Sequence, residues 1–179
     1  MTDRTYHLGI DPGVRNLAIS LIDDSGKFIS GDVFDARPPE TDIRDSIDAV
    51  TSFILQVTGS GSKIISSVGI ERYVPYAGTY TNNAEEILML TGAIVYVCQR
   101  HVNLIRPPEI RLFRAIDWKP SLCKTLVRTK GFSNPSTSFD KKYSKAAAEA
   151  ITGTPFKNDH LADSTCLAFH AWTKIQTTN

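Results

Sequence analysis

The opening stretch of the chain, up to residue 35, constrains the fold most. Tyr6 to Asp11 reads as a short strand that stops at the turn Asp11-Pro12-Gly13. Asn16 to Ile22 reads as a second strand. After the turn signal Asp23-Asp24-Ser25-Gly26, Phe28 to Phe34 reads as a third. Strands joined by turns this short pair with their sequence neighbours, so the chain begins as an antiparallel meander.

A helix is expected next. Thr41 or Asp42 can cap it, and Ile43, Ile47, Val50, Ile54 and Val57 recur at spacings of four, three, four and three. It ends at Gly59-Ser60-Gly61. Ile64 to Glu71 reads as a buried strand, and Arg72 to Thr81 as a loop holding Tyr73, Tyr76 and Tyr80. A second helix is expected from Asn82 to about His101. Its apolar residues surround it, so it needs cover on two sides: the sheet on one, and on the other either the rest of a central core or a partner subunit. Val102 to Arg106 is expected to form the fifth strand, halted by Pro107-Pro108. Gly131 to Ser138 has linker composition, Ser144 to Ile151 reads as a short Ala-rich helix, and a final helix is expected from about Asn158 to Ile175. The order fits one α/β domain over residues 1–179 with a mixed five-stranded sheet: an antiparallel meander plus two parallel strands, flanked by helices. That is the ribonuclease H-like plan.

Composition excludes several classes. With 41% hydrophobic and 22% charged residues in 179, the chain is neither disordered nor fibrous. Three cysteines (Cys98, Cys123, Cys166) without CxxC spacing suggest neither a zinc site nor a disulfide framework. No signal peptide or membrane span is expected, and a reducing cytoplasm is the expected location, the host cytosol or nucleoid if the chain is phage-encoded.

The acidic residues point to chemistry. Asp11 ends the first strand and Glu71 ends the fourth. A carboxylate closing an apolar strand is costly to bury unless it is paired or bound to a metal. Alone, either is better read as a turn or capping residue. Neighbouring strand ends would put both on one rim of the sheet. The last helix adds Asp159, His160 and Asp163. His160 and Asp163 are spaced i, i+3, and Asp159 and Asp163 i, i+4, so each pair shares a helical face. Such a set, rich in oxygen with one imidazole, suits Mg²⁺ or Mn²⁺. Two ions roughly 4 Å apart can activate water and stabilise the leaving oxygen of a phosphodiester. No GxSxG, Walker A, HExxH or GxGxxG motif offers another chemistry.

These residues resemble the motifs of the RuvC-type Holliday-junction resolvases, in a phage- or viral-like variant. Gly9-Ile10-Asp11-Pro12-Gly13 is similar to that family's opening motif, Gly69-Ile70-Glu71 to its second, and Asp159-His160-Leu161-Ala162-Asp163-Ser164 to its closing acidic motif. The separations from Asp11 to Glu71 and from Glu71 to His160, 60 and 89 residues, also fit. The resemblance implies a homodimeric endonuclease with two Mg²⁺ or Mn²⁺ ions per site, which nicks opposed strands of a four-way junction symmetrically. It implies Asp11, Glu71, His160 and Asp163 as catalytic metal ligands, with Asp159 as the alternative to His160, and the helix 82–101 as the dimer helix. Transition-state charge stabilisation falls to Lys142, or else Lys141. Many bacterial members carry an acid where His160 stands.

A basic stretch would supply the phosphate contacts. Residues 106–145 hold ten basic and three acidic side chains. Arg111, Arg114, Lys119, Lys124, Lys130, Lys141, Lys142 and Lys145 are the candidates, although a solvated charge run reads the same way for any one of them. Tyr73 and Tyr76 could stack on opened bases or simply pack the loop. The formal charge of +1 conceals this: residues 1–100 carry a net −5 and residues 101–179 a net +6. The alternatives are a broader fork and flap nuclease using the same site, and a junction-binding protein without catalysis. An actin-like kinase would need a second domain for which the chain is too short.

Overall fold

Side chains on a strand point alternately to opposite faces. The first strand, β1 (Arg4–Asp11), sends Tyr6, Leu8 and Ile10 into one core and His7, Gly9 and Asp11 to the other face. A computed structural model describes residues 4–13, 15–35, 43–59, 63–74, 84–102, 107–133 and 141–177. After β1 come β2 (Asn16–Asp23), β3 (Phe28–Asp35), α1 (Ile43–Thr58), β4 (Lys63–Glu71) and α2 (Ala84–His101). They are followed by β5 (Glu109–Phe113), α3 (Ala115–Lys130), α4 (Lys141–Thr152) and α5 (Asp159–Gln176).

The five strands form one sheet in the order β3-β2-β1-β4-β5. β1, β2 and β3 pair antiparallel, and β4 and β5 add in parallel beside β1. This is the expected mixed sheet. One face packs on α1 and α2 through Leu8, Ile10, Ile19, Val50, Ile54, Val68, Ile70 and Ile94. The other face carries α5, backed by α3 and α4 in a second core that includes Trp118, Leu122, Leu126, Tyr143 and Leu167. No helix among the described residues is long and apolar enough to cross a membrane.

The fifth strand differs from expectation. It lies at Glu109–Phe113, after Pro107-Pro108, and Val102 instead closes α2 by donating its N–H to the Cys98 carbonyl. Residues 103–106 lie outside the described residues. A proline suits the entrance of an edge strand, where a missing N–H interrupts no ladder. The stretch around Trp118 lies within a regular helix. α3 buries Trp118, Leu122 and Leu126 at four-residue spacing and ends at Gly131, whose φ of 64° is the left-handed cap that glycine tolerates best. The capping candidates Thr41 and Asp42, and the linker from residue 134 onward, are outside the described residues.

How α5 approaches the sheet positions everything that follows. Gly31, Ser20, Gly9 and Gly69 lie side by side across β3, β2, β1 and β4. A Cβ on Gly9 would stand 1.8 Å from the Ser164 carbonyl oxygen, and one on Gly69 2.5 Å from that of Leu167. The row of small residues therefore lets the helix backbone rest directly on the sheet. The Ser20 hydroxyl meets that of Ser164 at 2.5 Å and accepts from Thr165 at 3.0 Å, satisfying groups that this close contact buries.

Candidate active site

Period-two alternation links the glycines to the acids. Asp11 stands two residues beyond Gly9, and Glu71 two beyond Gly69, so both carboxylates share the face that α5 covers. β1 and β4 run parallel in register, Ile10 beside Ile70, which brings Asp11 and Glu71 to the same rim. α5 starts at that rim. Asn158 caps it, its side chain accepting the backbone N–H groups of His160 and Leu161 at 2.8 and 3.1 Å. His160 and Asp163, one turn apart, then face the strand ends.

Two of the four are in direct contact. His160 Nδ1 donates to Asp11 Oδ2 at 2.9 Å. That bond raises the imidazole's pKa above its ordinary value, against the effect of burial. Glu71 Oε2 accepts from the indole N–H of Trp118 at 3.0 Å. Burial, reinforced by the charges of Asp11 and Asp163, pushes the Glu71 carboxyl up to about 7. Burial raises the Asp163 carboxyl as well, with Lys119 pulling the other way. Lys119 Nζ stands 3.7 Å from Asp163 Oδ1, an ion pair beyond hydrogen-bond reach, and that oxygen is buried with no hydrogen-bond partner among the described residues.

The site therefore gathers more negative charge than its own cations neutralise. Three carboxylates and one imidazole form a donor set that fits a hard divalent cation such as Mg²⁺ or Mn²⁺. A buried Asp163 oxygen that no protein cation reaches within hydrogen-bond distance, beside a Glu71 carboxyl pushed up to about 7, is a donor arrangement that a divalent cation would suit. The donors do not form a finished cage, because no three His, Cys, Asp or Glu side chains among the described residues are grouped to hold an ion as they stand. Glu71 is engaged by the indole and Asp11 by the imidazole.

Other candidates from the sequence fall in different places. Asp159 is held by Lys145 at 2.6 Å and Lys141 at 3.1 Å, which lowers its pKa and commits it outside the group. Lys142 is exposed on the first turn of α4. Arg111 pairs with Glu109, and Arg114 with Asp117. Lys124 and Lys130 are exposed on α3. Tyr73 is half-buried just beyond β4, and Tyr76 lies outside the described residues. Lys119, expected to contact phosphate, stands beside the acidic group, and Trp118 was not a candidate. The signal for both lies in the four-residue spacing of Trp118, Leu122 and Leu126, which makes this segment a helix with one buried face.

Sheet order and helix placement match the ribonuclease H-like fold as RuvC has it. The comparisons bear on the same point. Thermus thermophilus RuvC aligns with a TM-score of 0.67 and 17% identity, covering 97% of each chain. T. thermophilus RuvC in complex with a Holliday junction substrate aligns with a TM-score of 0.65 and 15% identity, again over 97% of each. At such identities the likeness establishes the fold. No protein-family model and no curated protein matches the sequence.

Proposed function

We propose that the chain is a divalent-metal-dependent endonuclease that resolves four-way DNA junctions by paired symmetric nicks. The observation carrying this reading is the convergence of Asp11, Glu71, His160 and Asp163 on one rim of a fold shared over 97% of each chain with a RuvC in complex with a Holliday junction substrate. Asp11, Glu71 and Asp163 would offer oxygens and His160 a nitrogen to Mg²⁺ or Mn²⁺. When bound, two such ions activate a water and stabilise the leaving oxygen of an in-line phosphodiester displacement.

The remaining residues have supporting roles in this reading. Lys119, beside Asp163, is placed to offset charge that develops on the scissile phosphate. It takes precedence over Lys142 and Lys141 for that role. Those two, with Arg111, Arg114, Lys124, Lys130, Lys145 and the tyrosines Tyr73 and Tyr76, serve as contacts to the DNA. The exposed apolar side chains of α2 serve as the homodimer face.

The test is cleavage by the purified protein of a four-way junction, a fork, a flap and linear duplex, with Mg²⁺ and with Mn²⁺. Paired nicks confined to the junction are expected, with Asp163→Asn inactive but still binding it. Equal cutting of forks and flaps would favour the broader branched-DNA nuclease. Nicking by Asp163→Asn, or none by the native chain, would overturn the assignment.

A further inference from the structure

We propose that Trp118 is a positioning residue for the metal-facing carboxylate of Glu71, a role that rests on the nuclease reading above. Glu71 is the last residue of β4: its backbone is paired with Phe113, and Arg72 beyond it donates its N–H to the Phe113 carbonyl at 2.7 Å, but its side chain extends past the end of the sheet. A glutamate in that position needs an external restraint to hold its carboxylate in one orientation. The Trp118 indole N–H provides one by binding Oε2 at 3.0 Å, which leaves the second oxygen for a cation.

The chemistry of the donor suits this task. An indole N–H donates and cannot accept, and it carries no charge. It orients the carboxylate without neutralising it, whereas an arginine or lysine in the same place would compete with a dication for the negative charge. The ring does a second job. Lys119 Nζ lies 5.2 Å from the ring centroid, over the π face, so one side chain steadies both the acid and the nearest ammonium group.

Trp118 is itself firmly held. It is fully buried. Its backbone N–H bonds the Arg114 carbonyl at 3.1 Å as the helix starts, and the Arg114–Asp117 ion pair closes the same turn. Tyr143 on α4, also fully buried, donates its hydroxyl to the Lys119 carbonyl at 2.8 Å and fixes that turn against α4. A partner oriented this way acts like the outer-shell groups whose removal typically costs metal sites about 10–100-fold in affinity.

Trp118→Phe keeps an aromatic face for Lys119 and removes the N–H. Calorimetric titration with Mn²⁺ should show at least a tenfold loss of affinity, and the half-saturating Mn²⁺ for junction cleavage should rise by the same factor. Rate at saturating Mn²⁺ should recover substantially. A purely structural role would lower the melting temperature and leave metal affinity unchanged, and native affinity in Trp118→Phe overturns the proposal while the nuclease reading stands. Should that variant fail to fold, the native protein decides. It has two tryptophans, and on addition of Mg²⁺ the Trp118 indole N–H resonance should move while that of Trp172, stacked on His7, stays. A Trp118 resonance unmoved at saturating Mg²⁺ overturns the proposal. Native protein that takes up neither ion overturns the metal site and this role with it. Native protein that binds Mn²⁺ but cuts no DNA defeats only the nuclease reading, and the affinity of Trp118→Phe still decides the positioning role.

Discussion

Two side chains on the α5 face of the sheet, both beside Phe113, respond to acid in opposite directions. Glu71 has its pKa raised from 4.5 to about 7, so the folded chain holds that proton more tightly than the unfolded chain does. Its contribution is fully present below pH 4.5 and is lost as pH rises through about 7. His170, on α5 against Phe113, is lowered by burial from 6.5 to about 4. Its contribution is fully present above pH 6.5 and is lost as pH falls through about 4. At about 1.4 kcal/mol per pKa unit, each is worth about 3 kcal/mol. In urea unfolding with a chelator present, Glu71→Gln, which can still accept from Trp118, should gain about 3 kcal/mol on the native chain between pH 4.5 and 7.5. His170→Leu should gain a similar amount between pH 6.5 and 4. A difference that stays flat with pH would remove that group from the account. Saturating Mg²⁺ should abolish the Glu71 slope, because a bound cation takes the proton's place. The sequence made Asp11, Glu71, His160 and Asp163 legible, because strand ends and an i, i+3 pair are local patterns. It could not link Trp118 to a glutamate 47 residues away, since that contact depends on how α3 lies beside α5.

At the scale of elements, the row of small residues beneath α5 is what aims the helix at the strand ends. Gly9→Ala puts a methyl group 1.8 Å from the Ser164 carbonyl, a backbone atom that can yield only if α5 moves. A loss at the upper end of overpacking costs, about 3 kcal/mol, is expected in urea unfolding. Cleavage should fall further than stability alone accounts for, because His160 and Asp163 move with the helix. An unchanged unfolding midpoint would mean that α5 can lift without cost. The strands β1 to β4 and helices α1, α2 and α5 were readable from period, apolar runs and turn signals. β5 was not. Only five residues long at the sheet edge, with Leu112 nearly half exposed, it shows no clean alternation, and the prolines that introduce it read as a stop. α3 was masked by Pro120 within it and by its run of polar and basic residues, against which the four-residue spacing of three buried side chains is a faint signal.

For the whole molecule, the question is what covers α2. Its inner face buries Leu90, Ile94, Val97 and Cys98, while Leu88, Met89 and Tyr96 are left 47%, 65% and 60% exposed. Scattered exposed apolar residues are ordinary, but these three lie along one outward strip of a single helix, and Leu55 of the adjoining α1 is half exposed as well. Paired nicking of a two-fold symmetric junction requires two acidic rims in one particle, and a symmetric dimer supplies them by repeating one interface on both subunits. Because the strip already faces outward, Met89→Glu/Tyr96→Glu should leave the subunit folded, with a melting temperature near that of the monomer. Light scattering at micromolar concentration should then report a dimer for the native chain and a monomer for the variant. On four-way junctions the variant should retain metal-dependent strand cutting but lose the pairing of nicks on opposed strands. A native chain that is monomeric by mass yet still makes paired incisions would require the second rim to come from elsewhere.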